Sequence, residues 1–184
     1  YPISFNYGQR HKKELRYAKR FCKDLDLMQE VVSLTKVNRL LKGSALTDDI
    51  SVPEGHYEDE TMKLTVVPNR NMIMLSIAIG YAVSLKADLV AIGVHSGDHE
   101  IYPDCRPIFI NKMNDVSEIA NWAPVRIYTP FLNMTKGDIA KIGKELNIDY
   151  RKTWTCYKGL AKPCEKCGAC NERKEALDFA GIKN

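Results

Sequence analysis

The sequence predicts an α/β protein built on a doubly wound parallel sheet, followed by a cysteine-rich C-terminal segment. Three observations indicate this fold. Short apolar and β-branched runs alternate with longer runs of helical period along most of the 184 residues. The run over residues 88–94 is almost continuously apolar, as in a strand covered on both faces. Four cysteines then crowd together after the alternation ends. We therefore predict an α/β domain over residues 1–150 and a cysteine-rich segment over residues 151–184.

The first part of the alternation extends to residue 63. Residues 3–5 are a short strand, and residues 9–27 are an amphipathic helix whose polar side is heavily basic. Residues 30–34 are rich in β-branched side chains, which favours a second strand. Residues 42–63 have no sustained period and hold several glycine, proline and aspartate residues, so we predict a long mobile loop there.

The second part begins at Pro68, which is typical of a helix start, and Asn69 or Asn71 can cap that helix. The elements are predicted in this order: a buried helix over residues 70–86, a strand over 88–94, a helix over 107–120, a strand over 125–128, a helix over 135–146 and a short helix over 171–179. Ligands of parallel sheets bind beyond the carboxyl ends of the strands. We therefore expect functional side chains in residues 6–10, 95–106 and 129–130.

Composition excludes several classes of protein. Twenty-seven Lys and Arg against 23 Asp and Glu give a net charge of +4, which is too mild to indicate nucleic-acid binding by itself. The longest uncharged stretch, residues 71–85, is too short for a membrane span, and no signal peptide is visible. The six cysteines are too few and too clustered for a secreted disulfide scaffold. We therefore expect a cytoplasmic protein that binds no membrane and requires no nucleic acid.

The spacing of the clustered cysteines is the most specific signal in the chain. They follow the pattern Cys-x7-Cys-x2-Cys-x2-Cys and comprise Cys156, Cys164, Cys167 and Cys170. Four thiolates complete the closed tetrahedron of a structural zinc site, which has no open position for a substrate. An iron–sulfur cluster, a redox-active dithiol pair and unlinked cysteines remain as alternatives.

The polar segment after the third predicted strand combines several chemical types. Asp98 or Asp104 could accept hydrogen bonds from ring N–H and amino groups, and Tyr102 could stack on a planar ring. Arg106 could bind a carboxylate through two hydrogen bonds. Cys105 is either a small pocket-lining residue or a nucleophile that needs a neighbouring base. The competing interpretation of the segment is an ordinary polar loop.

Two cations lie at predicted helix starts. Arg70 begins the buried helix, where a helix N-terminus favours an anion. Lys136 lies in the first turn of a later helix, where the helix dipole is unfavourable for a lysine and a phosphate partner would compensate.

Five ordered motifs, which span nearly the whole chain, together resemble the 7-cyano-7-deazaguanine synthases (QueC). They are Asn6-Tyr7-Gly8-Gln9-Arg10-His11, Val67-Pro68-Asn69-Arg70-Asn71, Tyr102-Pro103-Asp104-Cys105-Arg106, Thr129-Pro130 with Lys136, and Thr155-Cys156-Tyr157 with the three later cysteines. The resemblance implies the adenine-nucleotide α-hydrolase-like fold of the PP-loop ATP pyrophosphatases. It also implies a homodimer whose partners are small molecules.

The resemblance further implies a reaction. An enzyme of this family uses ATP with Mg²⁺ to adenylate the carboxylate of 7-carboxy-7-deazaguanine, and ammonia then displaces AMP to give an amide. A second ATP activates the amide oxygen, and loss of AMP leaves the nitrile.

The resemblance assigns roles to particular residues. Next to the nucleotide it places Asn6, Tyr7, Gly8, Gln9 and Arg10, with Lys136 on the ATP phosphates. It places Arg70 and Asn71 in the lining of the active site, and Asp98, Tyr102, Asp104 and Arg106 around the deazapurine or its carboxylate. Catalytic roles fall to Arg70, Asp98, Asp104 and Lys136, and substrate binding falls to Asn71, Tyr102 and Arg106. The four clustered cysteines would bind a structural zinc ion.

One family motif does not occur in the sequence. The phosphate-binding loop of the family, Ser-Gly-Gly-x-Asp-Ser, is found nowhere in the chain, which begins at Tyr1 without an initiator methionine. Either the sequence is part of a longer enzyme, which is our expectation, or the chain cannot bind ATP in the usual way.

Two other functions compete with this assignment. A PP-loop enzyme that thiolates tRNA or makes lysidine would also explain the basic helix and the cysteines. A non-enzymatic zinc-knuckle interaction module on an α/β scaffold would explain the cysteines without any ATP turnover. The segment from Tyr102 to Arg106 argues against the first of these functions.

Overall fold

The computed structural model describes residues 1–56 and 60–183 of the chain. Helices alternate with strands, and both pairs of strands are parallel, so the predicted α/β class is confirmed. The strands form two two-stranded sheets. The chain divides into two compact units: the first combines Tyr1–Pro68 with Gly137–Asn184, and the second is Asn69–Lys136.

A strand–helix–strand arrangement makes the sheet of the first unit. Its elements are strand β1 (Ile3–Asn6), helix α1 (Lys13–Asp24), strand β2 (Glu30–Ser33) and a one-turn helix α2 (Thr35–Asn38). β1 and β2 pair with Phe5 opposite Val32. Helix α1 ends where Asp26 has a φ of 55°, and the Leu27 N–H donates to the Cys22 carbonyl at 2.8 Å. This left-handed cap closes the helix and leads into β2.

The prediction of a mobile loop over residues 42–63 is wrong in its first part. Ala45 has no exposed surface and Leu46 is buried. The Ala45 N–H also donates to the Leu64 carbonyl at 2.7 Å. Two apolar side chains anchor this segment, and two are too few to give the sequence a visible period. Residues 57–59 of the predicted loop lie outside the described residues.

Helices α5 (Lys136–Glu145) and α6 (Gly168–Phe179) pack together through small side chains. The core between them comprises Ala140, Ala176, Leu177 and Ala180. Two glycines of α5 permit a close approach, because a Cβ on Gly137 would collide with the Phe179 ring and a Cβ on Gly143 would collide with Tyr150. The first unit therefore holds its C-terminal helix by tight contacts that larger residues would prevent.

The second unit repeats the alternation of helix and strand. Its elements are helix α3 (Arg70–Ser84), strand β3 (Leu89–Ala91), helix α4 (Pro107–Ile119) and strand β4 (Arg126–Tyr128). The core of this unit comprises Leu75, Ile79, Ala82, Met113 and Val125. β3 and β4 pair in parallel, with Val90 opposite Ile127. The Asn114 side-chain oxygen accepts the Ile127 N–H at 2.8 Å, so this backbone donor of β4 has a hydrogen-bond acceptor.

Short 3-10 helices occupy four further segments, Glu60–Thr65, Ser96–Asp98, Pro103–Cys105 and Tyr150–Lys152. Two of them lie in the polar segment that follows β3. Helix α2 was not predicted, because four residues are too few to display a helical period. Within the described residues, no helix combines the length and the apolar character that crossing a membrane requires.

Candidate active site and metal centre

The four clustered cysteines converge on one point in the first unit. Their Sγ atoms all lie within 4.8 Å of one another, and those of Cys164 and Cys170 are 3.9 Å apart. A tetrahedral ion with metal–sulfur bonds of about 2.3 Å requires sulfur atoms about 3.8 Å apart. Cys156 and Cys167 are buried, and all the cysteines are free thiols. The donor set and its spacing therefore fit one metal ion, and the clustering predicted from the sequence is confirmed.

Backbone N–H groups point at two of these sulfur atoms. The Cys164 N–H donates to Cys156 Sγ, and the Cys167 N–H donates to Cys164 Sγ, both at 3.3 Å. Glu165 makes the tight turn between them with a φ of 59°. Burial by itself raises the pKa of the Cys164 thiol, but the N–H groups of Lys166 and Cys167 outweigh it and lower the pKa to about 7. The thiolate, which is the metal-binding form, is thereby favoured.

Helix α6 begins inside the cysteine cluster. Cys167 is its N-cap residue, and the N–H groups of Cys170 and Asn171 donate to the Cys167 carbonyl at 2.8 and 3.1 Å. The predicted start at Asn171 is therefore three residues late, because the last two ligands themselves form the first turn. The Asn171 side chain also donates to the Gly55 carbonyl at 2.5 Å, and the Gly55 N–H donates to the Lys166 carbonyl at 3.1 Å.

The loop after β1 is braced by Gln9, which is only 3% exposed. The Gln9 side-chain oxygen accepts the Tyr7 N–H at 2.9 Å. Its nitrogen donates to the Phe5 carbonyl at 3.3 Å and to Glu14 Oε1 at 3.0 Å. These bonds keep the loop out of the helix that the sequence predicted from residue 9 onward. Helix α1 therefore begins only at Lys13.

The other residues predicted beside the nucleotide lie in the same loop. Asn6 is the last residue of β1, and its Oδ1 accepts the Gly8 N–H at 3.3 Å. Gly8 has a φ of 82°, and a Cβ there would lie 3.0 Å from Asn38 Nδ2. The Arg10 guanidinium donates to the Ile50 carbonyl at 2.6 Å. Residues that adjoin in sequence thus form one fixed loop at the carboxyl end of β1.

This loop packs against the cysteine-rich segment within the first unit. Gly159 has a φ of 61°, and a Cβ there would collide with the His11 side chain. Lys13 Nζ donates to the Ala161 carbonyl at 2.9 Å and lies 4.1 Å from the centre of the Trp154 ring. In sequence the loop and the cysteine segment are separate features, and the structure joins them.

In the second unit, the loops after β3 and β4 are joined at their bases. The Ser96 N–H and hydroxyl both donate to the Met134 carbonyl, at 2.9 and 2.7 Å. This places the segment that contains Asp98 close to the start of α5 at Lys136. His95 Nε2 lies 3.3 Å from Asp98 Oδ2. The loops at the carboxyl ends of two parallel strands therefore come together, as expected of such sheets.

Asp104 caps helix α3, although the sequence suggested Asn69 or Asn71 for this role. The Asn71 N–H donates to Asp104 Oδ2 at 2.9 Å, and Asn71 Nδ2 donates to the Asp104 carbonyl at 3.2 Å. Asn69 is the N-cap residue but has a left-handed φ of 59° and makes no side-chain cap bond. A carboxylate at this position interacts favourably with the helix dipole. The bond joins two predicted site residues that are 33 positions apart in sequence.

Cys105 is a buried thiol beside this cap. Its Sγ lies 3.2 Å from Asn71 Nδ2. Burial, followed by the charges of Asp98 and Asp104, raises the pKa of Cys105 to about 12. The thiol is therefore protonated at neutral pH. Of the two interpretations of Cys105, the geometry favours the pocket-lining residue over the nucleophile.

The remaining predicted residues of the second unit separate into two groups. Tyr102 is 4% exposed, and the Arg70 guanidinium carbon lies 6.0 Å from the centre of its ring. Arg70 and Tyr102 thus lie with Asn71 and Asp104 around the start of α3. Arg106 is exposed, and its Nε donates to the His99 carbonyl at 2.7 Å, so the loop backbone holds this guanidinium.

Comparison with known proteins decides the family. The family model described as "Queuosine biosynthesis protein QueC" matches residues 1–181. The chain belongs to the QueC family. It is 58% identical over 182 residues to the 7-cyano-7-deazaguanine synthase of Pseudoalteromonas translucida, with 99% of this chain and 84% of the relative covered. The 7-cyano-7-deazaguanine synthase of Hahella chejuensis is 57% identical, with 97% and 77% covered, and that of Marinomonas sp. is 58% identical, with 98% and 83% covered.

The family assignment confirms the resemblance drawn from five motifs. The sequence assigned no individual role to two buried polar residues of this QueC chain, His95 and Asn38. His95 directly follows the buried Val94 and lies in the segment 95–106 that the sequence predicted to be functional. Asn38 lies in the unpredicted helix α2 against Gly8, and no local pattern in the sequence indicates it.

Proposed function

We propose that the chain is a carbon–nitrogen ligase that makes 7-cyano-7-deazaguanine from 7-carboxy-7-deazaguanine, ammonia and ATP. The observation that carries this proposal is the similarity to 7-cyano-7-deazaguanine synthases over nearly the whole chain. The parallel α/β architecture and the thiol cluster agree with it.

The proposed chemistry replaces a poor leaving group twice. A carboxylate oxygen attacks the α-phosphorus of ATP, and pyrophosphate leaves. Ammonia then attacks the carbonyl carbon, and loss of a proton and AMP gives the amide. The amide oxygen attacks a second ATP with loss of pyrophosphate and one proton, and departure of the second proton and the second AMP leaves the nitrile. Each nitrile therefore consumes two ATP and releases two AMP and two pyrophosphate.

In the second unit, we assign the substrate and its activated phosphate to the residues around the loop after β3. Arg70 and Lys136 are each the first residue of a helix, where a cation and the helix dipole together favour phosphate oxygens. The Asp98 carboxylate suits the ring N–H and amino groups of the deazapurine. Tyr102, Asn71 and Arg106 supply the remaining substrate contacts, and Asp104 acts by holding the start of α3.

In the first unit, we assign nucleotide contacts to Asn6, Tyr7, Gly8, Gln9 and Arg10. Two features of the loop support this role. Gly8 has a positive φ and packs against the Asn38 side chain, so the loop is held in one backbone conformation. The Gln9 side chain holds the loop through its hydrogen bonds to the Tyr7 N–H and the Phe5 carbonyl. A loop that is already held in place loses little conformational entropy when it binds a ligand.

We assign structural zinc to Cys156, Cys164, Cys167 and Cys170. Four thiolates complete a tetrahedron, so the ion would cross-link the chain and leave no position for a substrate. Metal analysis of the purified protein should give one zinc per chain, and the visible absorption of an iron–sulfur cluster would contradict this assignment.

We also propose a cytoplasmic homodimer that uses ammonia as its nitrogen donor. The free thiols of the described chain support a reducing compartment. The dimer and the ammonia rest on the family resemblance alone and remain predictions. Light scattering of the purified protein tests the first, and omission of ammonium from the assay tests the second.

The test of the proposed function is an incubation of the full-length protein with 7-carboxy-7-deazaguanine, ammonium chloride and Mg-ATP, followed by mass spectrometry. We expect the nitrile, AMP and pyrophosphate, with no nitrile when ATP is omitted. Absence of all three products would contradict the proposal. Tight, salt-sensitive binding of tRNA by the same preparation would instead support a tRNA-modifying enzyme.

A further inference from the structure

His95 is a buried histidine in the second unit to which the proposed function gives no role. It is 5% exposed and directly precedes the short helix Ser96–Asp98. Its side chain does not simply fill space, because both ring nitrogens meet polar partners. Gly97 N–H donates to Nδ1 at 3.2 Å, and Nε2 lies 3.3 Å from Asp98 Oδ2.

The Gly97 contact fixes the tautomer of His95. A backbone N–H can only donate, so Nδ1 must carry a lone pair, and the proton of the neutral ring lies on Nε2. The protonated ring nitrogen is therefore the one that faces the Asp98 carboxylate, 3.3 Å from Oδ2. A second proton would have to enter at Nδ1, against the Gly97 N–H. Burial lowers the pKa of His95, and Lys136 and His99 lower it further against the opposing charge of Asp98.

The backbone around Asp98 is held separately, so the histidine acts on the carboxylate itself. The Asp98 N–H donates to the His95 carbonyl at 3.1 Å, and the Tyr102 N–H donates to the Asp98 carbonyl at 2.9 Å. Ser96 is tied to the Met134 carbonyl by two bonds. With the main chain held, the close approach of Nε2 to Oδ2 favours one orientation of the carboxylate. The Asp98 side chain remains 17% exposed, so a ligand can reach it.

We propose that His95 is a positioning residue that orients Asp98 to recognise the guanine-like edge of the substrate, where a ring N–H and an amino group lie side by side. This inference rests on the proposed function. It assigns to the pair a role in specificity: Asp98 accepts the hydrogen bonds from the substrate, and neutral His95 keeps its carboxylate in the accepting orientation.

Steady-state kinetics of His95→Phe and His95→Gln test the role. Phenylalanine fills the site without a donor, whereas the glutamine amide can still donate to Asp98. We expect His95→Phe to raise KM for 7-carboxy-7-deazaguanine roughly ten- to a hundredfold, as for loss of a bond to a charged group, with little change in KM for ATP. His95→Gln should restore most of the loss. A wild-type KM in His95→Phe, or an equal loss in both variants, would refute the proposal.

Two further readouts separate positioning from mere structural support. Wild-type protein should discriminate against an analogue that lacks the 2-amino group, and His95→Phe should lose most of that discrimination. An unchanged preference would contradict the proposal.

Nitrogen-15 NMR of histidine-labelled wild-type protein tests the geometry without any activity. A neutral ring protonated at Nε2 at pH 7 is expected, and a ring protonated at Nδ1 or at both nitrogens would overturn the inference. Because this measurement needs no turnover, its failure is distinct from a failure of the proposed function.

Discussion

The cysteine segment and the loop after β3 fix their functional side chains in opposite ways. In the cysteine segment, all four ligands come from fifteen consecutive residues, and neighbouring N–H groups orient the sulfur atoms. In the loop after β3, the fixing bonds join residues 33 positions apart (Asn71 and Asp104) and 38 positions apart (Ser96 and Met134). Removal of one cysteine should therefore disrupt the whole metal cluster. Removal of one side chain from the loop after β3 should break only the contacts that this side chain makes.

The largest expected effect is the loss of one metal ligand. Cys167→Ser removes a fully buried thiolate, so the metal should be released and the free energy of unfolding should fall by about 4 kcal/mol, or roughly 8–16 °C in Tm. Metal analysis and thermal unfolding measure both changes. Cys22→Ser is the matched control, because Cys22 is buried outside the cluster and its substitution should leave the metal content intact. A zinc-retaining, stable Cys167→Ser protein would show that the four cysteines are not one metal site.

A glycine substitution tests whether the cysteine segment supports the loop after β1. Gly159→Ala forces a left-handed conformation on alanine and also a collision with His11, so it should cost about 1 kcal/mol for the backbone and about 1–3 kcal/mol for the collision. Gly181→Ala has a nearly equal φ of 63°, and its Cβ meets only Lys144 Nζ at 3.5 Å. It therefore measures the backbone cost alone. Chemical denaturation gives both values, and equal losses would indicate that the loop and the segment are not coupled.

The cap on α3 should give a smaller loss confined to the second unit. Asp104→Ala leaves the Asn71 N–H without its acceptor and should cost about 1–2 kcal/mol of stability. Asp104→Asn keeps an acceptor oxygen and should cost less than half of that. Thermal unfolding compares the two. If Asp104→Asn keeps its stability but loses turnover, the carboxylate also takes part in the chemistry. Equal stability of both variants and wild type would refute the cap.

The smallest effect is expected at Cys105. Its thiol is protonated at neutral pH, so Cys105→Ser should retain nearly full turnover, and iodoacetamide should alkylate the native protein slowly at pH 8. The pKa is raised from 9.0 to about 12 in the folded state. The associated stability is therefore fully present below about pH 9 and is lost as the pH rises toward 12. Complete loss of turnover in the folded serine variant would restore the nucleophile interpretation.

The same contrast explains how far the sequence could lead. The four cysteines of the metal cluster are close together in sequence, so their spacing alone predicts that they converge. The alternation of apolar runs likewise predicted every longer element. The brace formed by Gln9 and the cap formed by Asp104 could not be predicted, because each depends on side chains meeting a backbone that only the folded chain brings near. The same holds for His95, whose role depends on a bond from Gly97 to one particular ring nitrogen.

The most direct test of the account is to follow the carboxylate oxygens of the substrate. 7-Carboxy-7-deazaguanine labelled with ¹⁸O at both carboxylate oxygens is turned over with ammonium and Mg-ATP, and the AMP is analysed by mass spectrometry. Adenylation of the carboxylate and then of the amide predicts two AMP per nitrile, each with one ¹⁸O. Unlabelled AMP, or release of ADP and phosphate in its place, would contradict the account.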